Sequence, residues 1–203
     1  MSDRESNSLG RMLALVLRHD PEKFGVDMDI NGWVSTRELS EAIQKERRRY
    51  HWLRGWHFEA IANADRKGRY QVEGGMIRAT YGHTIDLDLD LPTDDIPEEL
   101  YYPCEVSQVE SMIQFGITAG DRKHVHLSKT IANAMEAGHV RIDRPAILEV
   151  DTVRAIADGH TIYRAGKTVF LMENVPGEFL YKVDDDDEII QEIIAQWERE
   201  EEE

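Results

Sequence analysis

Cysteine is nearly absent from this 203-residue chain: Cys104 stands alone, which excludes an internal disulfide and fits a reducing cytoplasm. No stretch approaches 18 apolar residues, and the opening MSDRESNS is polar. Neither a membrane span nor a secretion signal is therefore expected. Lysine is scarce too, seven against seventeen arginines, and 24 Lys and Arg face 40 Asp and Glu for a formal charge of −16. Such a balance excludes a protein that coats nucleic acid by bulk charge. Acid excess with little lysine is expected of a halophile-like protein that stays hydrated in a salt-rich cytoplasm, and fold and activity should then depend on added salt. Any arginine lining a cleft here must hold its anion against an unfavourable field, through bidentate contacts.

The chain is 41% apolar, enough for two small cores or one larger one. Leu9, Leu13, Val16 and Leu17 follow i, i+4, i+7, i+8, so residues 8–18 form an amphipathic helix. Pro21 stops it. INGWVS reads as a turn and short strand, and Ser35 with Glu38 has capping-box spacing at the start of a second helix. A third helix is expected over 51–64. In KGRYQVEGGMIRATYGHT, Tyr70 and Val72 alternate with polar residues and Gly74-Gly75 turns the chain into a hairpin. Helices followed by such a hairpin make residues 1–84 a winged-helix-like lobe.

Residues 85–99, rich in Asp and broken by Pro92 and Pro97, read as a linker. Beyond it strands (ELYYPCEV, HVHLS, PAILEVD) alternate with helices (VSQVESMIQFG, KTIANAMEAG, TVRAIADG), and HTIYRAGKTVFLMENVP is a hairpin turning at Ala165-Gly166. The fold class is α+β, with a β-rich second lobe over 100–180. The tail, 181–203, is an acidic amphipathic helix striped by Ile189, Ile190, Ile193, Ile194 and Trp197, built to dock on its own chain or a partner. Its terminal glutamates oppose the helix dipole.

LALVLRHDP places Arg18-His19 at the end of the first helix. Cations there stabilise a helix C-terminus by about 0.3–1 kcal/mol, and the same pair is suited to an anion. Arg69 and Arg78 lie on the two hairpin strands, with His83 just beyond. His124 and His126 share one face of a strand. A zinc pair would need further ligands, and no cysteine or carboxylate stands at ligand spacing, so no metal is expected. Cys104 has no partner base in its own segment.

Four segments, LALVLRHDPEKFGVDMDINGWVSTREL, KGRYQVEGGMIRATYGHT, FGITAGDRKHVHLS and TIYRAGKTVFLMENVPGEFL, occur in the order seen in the RNA 2′-phosphotransferases. Over residues 8–180 the chain resembles an archaeal member of that family. The resemblance implies a winged-helix-like RNA lobe joined to an ADP-ribosyltransferase-like lobe that holds NAD. It implies a monomer away from membranes whose substrate is tRNA-like RNA with an internal 2′-phosphate at a splice junction. The 2′-phosphate would attack the nicotinamide ribose, and the ribose 2″-hydroxyl would then attack phosphorus. The products are nicotinamide, RNA with a 2′-hydroxyl and ADP-ribose 1″,2″-cyclic phosphate.

The family's catalytic Arg-His-Arg-Arg set is carried onto Arg18, His19, Arg69 and Arg141. Arg78 and His83 resemble substrate-contacting positions, and His126 and Ser128 resemble NAD-contacting ones. Arginines suit a phosphate dianion that must be aligned and a transition state that gathers charge on phosphoryl oxygens. The chain departs from the pattern at LYYPCEVS, where Pro103 and Cys104 replace the His-Gly of many relatives, and at GHVRIDRP, which lacks an Arg-His-Gly continuation. Two other functions compete with this one. One is ADP-ribosylation of another nucleic-acid phosphate or a protein; the other is a non-catalytic winged-helix regulator.

Overall fold

A computed structural model describes residues 3–202, with side chains described over residues 8–200. Met1 and Ser2, the start of the polar segment, and Glu203, the last tail glutamate, lie outside the described residues. The chain mixes α-helices with antiparallel sheets and divides into two compact units. The N-terminal unit runs to Leu91 and includes Asp121–Lys123 and Ala165–Lys167; Pro92–Gly120, His124–Arg164 and Thr168–Glu203 form the C-terminal unit. The division falls inside the acidic 85–99 segment.

In the N-terminal unit α1 (Asp3–Arg18) buries Leu9, Leu13, Val16 and Leu17. After it come β1 (Val34–Ser35), α2 (Thr36–Glu46), α3 (His57–Ala64), β2 (Tyr70–Glu73) and β3 (Met76–Ala79). Ser35 Oγ accepts the Glu38 N–H, so the capping signal does start α2. The strands form one antiparallel sheet in the order β1-β3-β2, turning at Gly74-Gly75. α1 and α2 and the inner face of the sheet share one core through Leu13, Leu39, Ile43 and Ile77.

The helix expected from residue 51 begins only at His57. Gly55 explains the delay: a Cβ there would stand 2.8 Å from Thr36 Oγ1. The chain has to pass the start of α2 before it can coil, and Leu53 is buried on the way.

The C-terminal unit contains β4 (Glu99–Cys104), α4 (Val109–Phe115), β5 (Ile117–Thr118), β6 (Val125–Ser128), α5 (Ile131–His139), β7 (Ala146–Asp151), α6 (Thr152–Ala157), β8 (Ile162–Arg164), β9 (Val169–Met172), β10 (Asn174–Val175), β11 (Leu180–Lys182) and α7 (Glu188–Glu202). Six of its strands form an antiparallel sheet ordered β11-β7-β4-β6-β9-β8, and β5 pairs with β10. The two-residue strands β5 and β10 were too short to show a period in sequence. Leu100, Val125, Leu127, Leu148 and Phe170 fill the core on one face of the sheet. Alternation turns Tyr101, Pro103, His126 and Ser128 to the opposite face.

α5 and α7 cover part of that second face. Ile190 is buried against Ala134, Met135 and Ile147, joined by Ile193, Ile194 and Trp197. The tail thus docks on its own chain, with Trp197 stacked on His139 and Arg144 paired to Glu198. Ile189, read as part of the stripe, is 47% exposed instead. Among the described residues no helix is long and apolar enough to cross a membrane.

Candidate functional site

Periodicity buries Val16 and Leu17 and leaves Arg18 at the end of α1. Its guanidinium carbon lies 5.1 Å from the Tyr81 ring centre and 6.0 Å from that of Tyr70. Gly82, at φ +86°, lets the chain pass close by, since a Cβ there would meet Arg18 Nη1 at 3.2 Å. Arg18 Nε and Nη2 are shut off from solvent and have no hydrogen-bond partner among the described residues. Burial pulls this guanidinium below its ordinary pKa, and Arg69 and Arg122 add to the effect, against Tyr70 and Tyr81. Arginine still stays charged. A buried cation with unspent donors is costly unless an acceptor arrives from outside.

Arg18 does lie in the last turn of α1, where a cation suits the helix dipole. The Leu15 carbonyl accepts the backbone N–H groups of His19 and Asp20, and the Arg18 carbonyl accepts that of Thr84 at 3.0 Å. Thr84 also meets His19, with Oγ1 3.0 Å from Nδ1. This contact leaves Nε2 as the ring nitrogen available to a ligand. Desolvation, then Arg18 and Arg122, push the His19 imidazole below its usual pKa, so the free site holds a neutral ring at pH 7.

Arg69 stands at the entry to β2, 5.8 Å over Tyr70. Asp65, just past α3, holds it. The Asp65 carboxylate accepts from Arg69 Nε at 3.0 Å and Nη2 at 2.8 Å, and from the Arg69 backbone N–H. Burial alone would raise the Asp65 pKa, but these bonds outweigh it and hold the carboxyl below the usual range. Asp65, Thr84 and Arg122 escaped the sequence reading. Thr84 acts through His19, 65 residues away; Asp65 stands four residues before Arg69, a spacing that could have flagged the pair, and Arg122 looked like one more charge before HVHLS. In the N-terminal unit Arg122 is, with Arg69, the cation that faces Arg18.

Other expected residues lie elsewhere. Arg78 has a side chain only 5% exposed and is committed to Asp90, to Gln71 Oε1 at 3.0 Å, to the Asn31 carbonyl at 3.2 Å and to the Trp33 ring at 4.5 Å. It therefore serves as a scaffold, where the sequence reading had it touching substrate. His83 is buried between Gly82 and Thr84 in the chain. Arg141 belongs to the C-terminal unit, where it is exposed just past α5 with its backbone N–H on the Gly138 carbonyl.

His126 and Ser128 share one sheet face with Tyr101 and Pro103, and Ser128 sits directly opposite Tyr101. Pro103 packs under α5, where a Cβ on Gly138 would stand 2.7 Å from its own Cβ. Ser128 and His126 bring hydroxyl and imidazole groups to this face; position 103 brings no donor. Cys104 is buried on the other face, which with Glu105 raises its thiol to about 11. That keeps it from acting as a nucleophile at neutral pH.

The family described as RNA 2'-phosphotransferase, Tpt1 / KptA family, matches residues 3–174. The "Probable RNA 2'-phosphotransferase" of Thermoplasma acidophilum is 38% identical over 181 residues, 89% of this chain and 77% of that protein. "Probable RNA 2'-phosphotransferase 1" of Archaeoglobus fulgidus is 38% identical over 176 residues, 85% of this chain and 78% of the relative. The "Probable RNA 2'-phosphotransferase" of Methanosarcina mazei is 36% identical over 185 residues, 91% and 87% of the two chains.

Proposed function

Because the chain belongs to the RNA 2'-phosphotransferase family, a family of transferases, we propose that it removes an internal 2′-phosphate from RNA in an NAD-dependent reaction of the tRNA splice-junction type. One observation carries this reading: the half-buried Arg18 guanidinium has two nitrogens without a hydrogen-bond partner among the described residues and feels the charges of Arg69 and Arg122, while Asp65 is already taken by Arg69. Within a chain of charge −16, such a group of cations is a site for an anion rather than a general surface property. The order α1-β1-α2-α3-β2-β3 supports a winged-helix reading of the N-terminal unit. The antiparallel sheet of the C-terminal unit is compatible with a transferase-like lobe.

The Arg18 guanidinium binds the phosphoryl oxygens. Arg69, fixed by Asp65, and Arg122 neutralise the dianion and the charge that grows on phosphorus-bound oxygens. Arg122 takes the fourth place of the Arg-His-Arg-Arg set in this reading, and Arg141 is left outside it. His19, held by Thr84, presents Nε2 to the phosphate and returns a proton to the departing RNA 2′-oxygen. NAD, when bound, supplies the ribose carbon and hydroxyl that take the phosphate. His126 and Ser128 would hold it, without help from position 103.

The reaction is tested with a short RNA bearing one internal 2′-phosphate, incubated with NAD at low and at high salt. Nicotinamide release matched by conversion to the 2′-hydroxyl RNA is expected. Nicotinamide release that leaves ADP-ribose on the RNA would move the assignment to a plain ADP-ribosyltransferase. No release at either salt concentration would remove it.

A further inference from the structure

The N-terminal unit has a groove of about 1060 Å³, walled by α1, α3 and the entry to β2. Arg69 and Tyr70 line it and also flank Arg18. The volume lies just above the roughly 300–1,000 Å³ typical of small-ligand pockets, so it suits a chain of groups better than one compact molecule. Gly10 and Ala14, two turns and one turn before Arg18, keep the α1 wall low. A Cβ on Gly10 would meet nothing within 4 Å.

The lining is basic in an acidic protein. Arg11, Arg66 and Lys67 are exposed there and enter no ion pair among the described residues. Asp65, the single acid of the lining, is neutralised by Arg69. Aromatic rings line the same groove: Trp52, and His57, one face of which is stacked on Trp56 at 3.5 Å. Trp52 meets His57 edge to face at 5.1 Å, and His57 is steadied by the Arg54 N–H, which donates to its Nδ1 at 2.9 Å. Arg11 and Arg18 are seven residues apart on α1, roughly 10 Å along the axis, a span longer than one nucleotide. Cations that track a backbone, with rings for bases, are what single-stranded nucleic acid requires.

We infer that this groove binds the single-stranded RNA next to the 2′-phosphate, with backbone phosphates on Arg11, Arg66 and Lys67 and a base against Trp52 and His57. The inference rests on the proposed phosphotransferase reading for its substrate, and it adds a site that extends recognition beyond the phosphate itself.

Binding is measured by fluorescence anisotropy with a labelled hexanucleotide and dinucleotide that each carry an internal 2′-phosphate, and with the hexanucleotide lacking it. The full chain should prefer the hexanucleotide at least tenfold and retain measurable binding when the 2′-phosphate is removed. In R66E/K67E that preference should collapse to within twofold, and the salt slope should fall by about 0.7 for each backbone phosphate that is no longer neutralised. Gly10→Leu, which fills the groove without changing charge, should also erase the preference. Equal affinities for the two RNAs, or a preference that survives both variants, would overturn the groove. Hexanucleotide binding that depends on Arg66 and Lys67, in a protein that never releases the 2′-phosphate, would keep the groove and discard the proposed activity. Phosphate release with no length preference would do the reverse.

Discussion

Gly82 makes room for Arg18: at φ +86° its missing Cβ would lie 3.2 Å from Nη1 and 3.4 Å from the guanidinium carbon. Glycine is needed twice there, for the backbone angle and for the space. Gly82→Ala should cost about 1–3 kcal/mol of stability and displace the guanidinium. Phosphate release should fall at least tenfold, beyond what the lost folded fraction explains. Denaturant unfolding beside a rate measurement checks this, and an unchanged rate per folded molecule would show that Arg18 tolerates the shift.

Asp65 should matter through Arg69. Asp65→Asn keeps the shape and removes the charge that orients the guanidinium, so kcat/KM should fall at least tenfold with a stability loss of about 1–3 kcal/mol. The native carboxyl titrates below its unfolded value. Its stabilisation is therefore complete above about pH 4 and disappears as pH falls through the native pKa. The stability gap between wild type and D65N should accordingly close below about pH 4. A gap that is constant down to acid unfolding would show that the charge is not what stabilises.

His19 has a lowered pKa in the free protein, so the unfolded chain binds its proton more readily below about pH 6.5. Stability should decline as pH drops through that point. A bound phosphate dianion reverses the balance and raises the imidazole pKa. Calorimetry of RNA binding at pH 7, in buffers of different ionisation enthalpy, should show net proton uptake that is lost in His19→Gln. Identical heats in every buffer would remove His19 from the phosphate.

Arg122 and Arg141 separate two assignments of the fourth arginine. With Arg122 in the phosphate group, Arg122→Ala should slow phosphate release about a hundredfold, as loss of one preorganised donor typically does. Arg141→Ala should change it less than threefold. The opposite ranking would return the role to Arg141.

The i, i+4, i+7, i+8 pattern of Leu9, Leu13, Val16 and Leu17 was enough to place Arg18 at a helix end. HVHLS reads as a strand with His124 and His126 on one face; β6 begins only at Val125, so His126 shares its face with Ser128 and His124 lies outside the strand. Residue type misled at Arg78: a strand arginine beside a motif looked available, yet Asp90 and Trp33 hold it. Arg122 was the converse, a residue without local distinction that long-range folding brings to Arg18.

Periodicity, turn residues and motif order are local properties, so the sequence alone determined the helices, the Gly74-Gly75 hairpin, most strands of the second unit and the family. Which cations face one another depends on contacts between residues far apart in the chain. Only the tertiary structure decided that Asp65 is consumed by Arg69, that Arg78 is buried in the scaffold and that Arg18 retains donors for an anion. The reason is that a guanidinium's chemistry is set by the acceptors around it, and packing decides which near or distant acceptor reaches it.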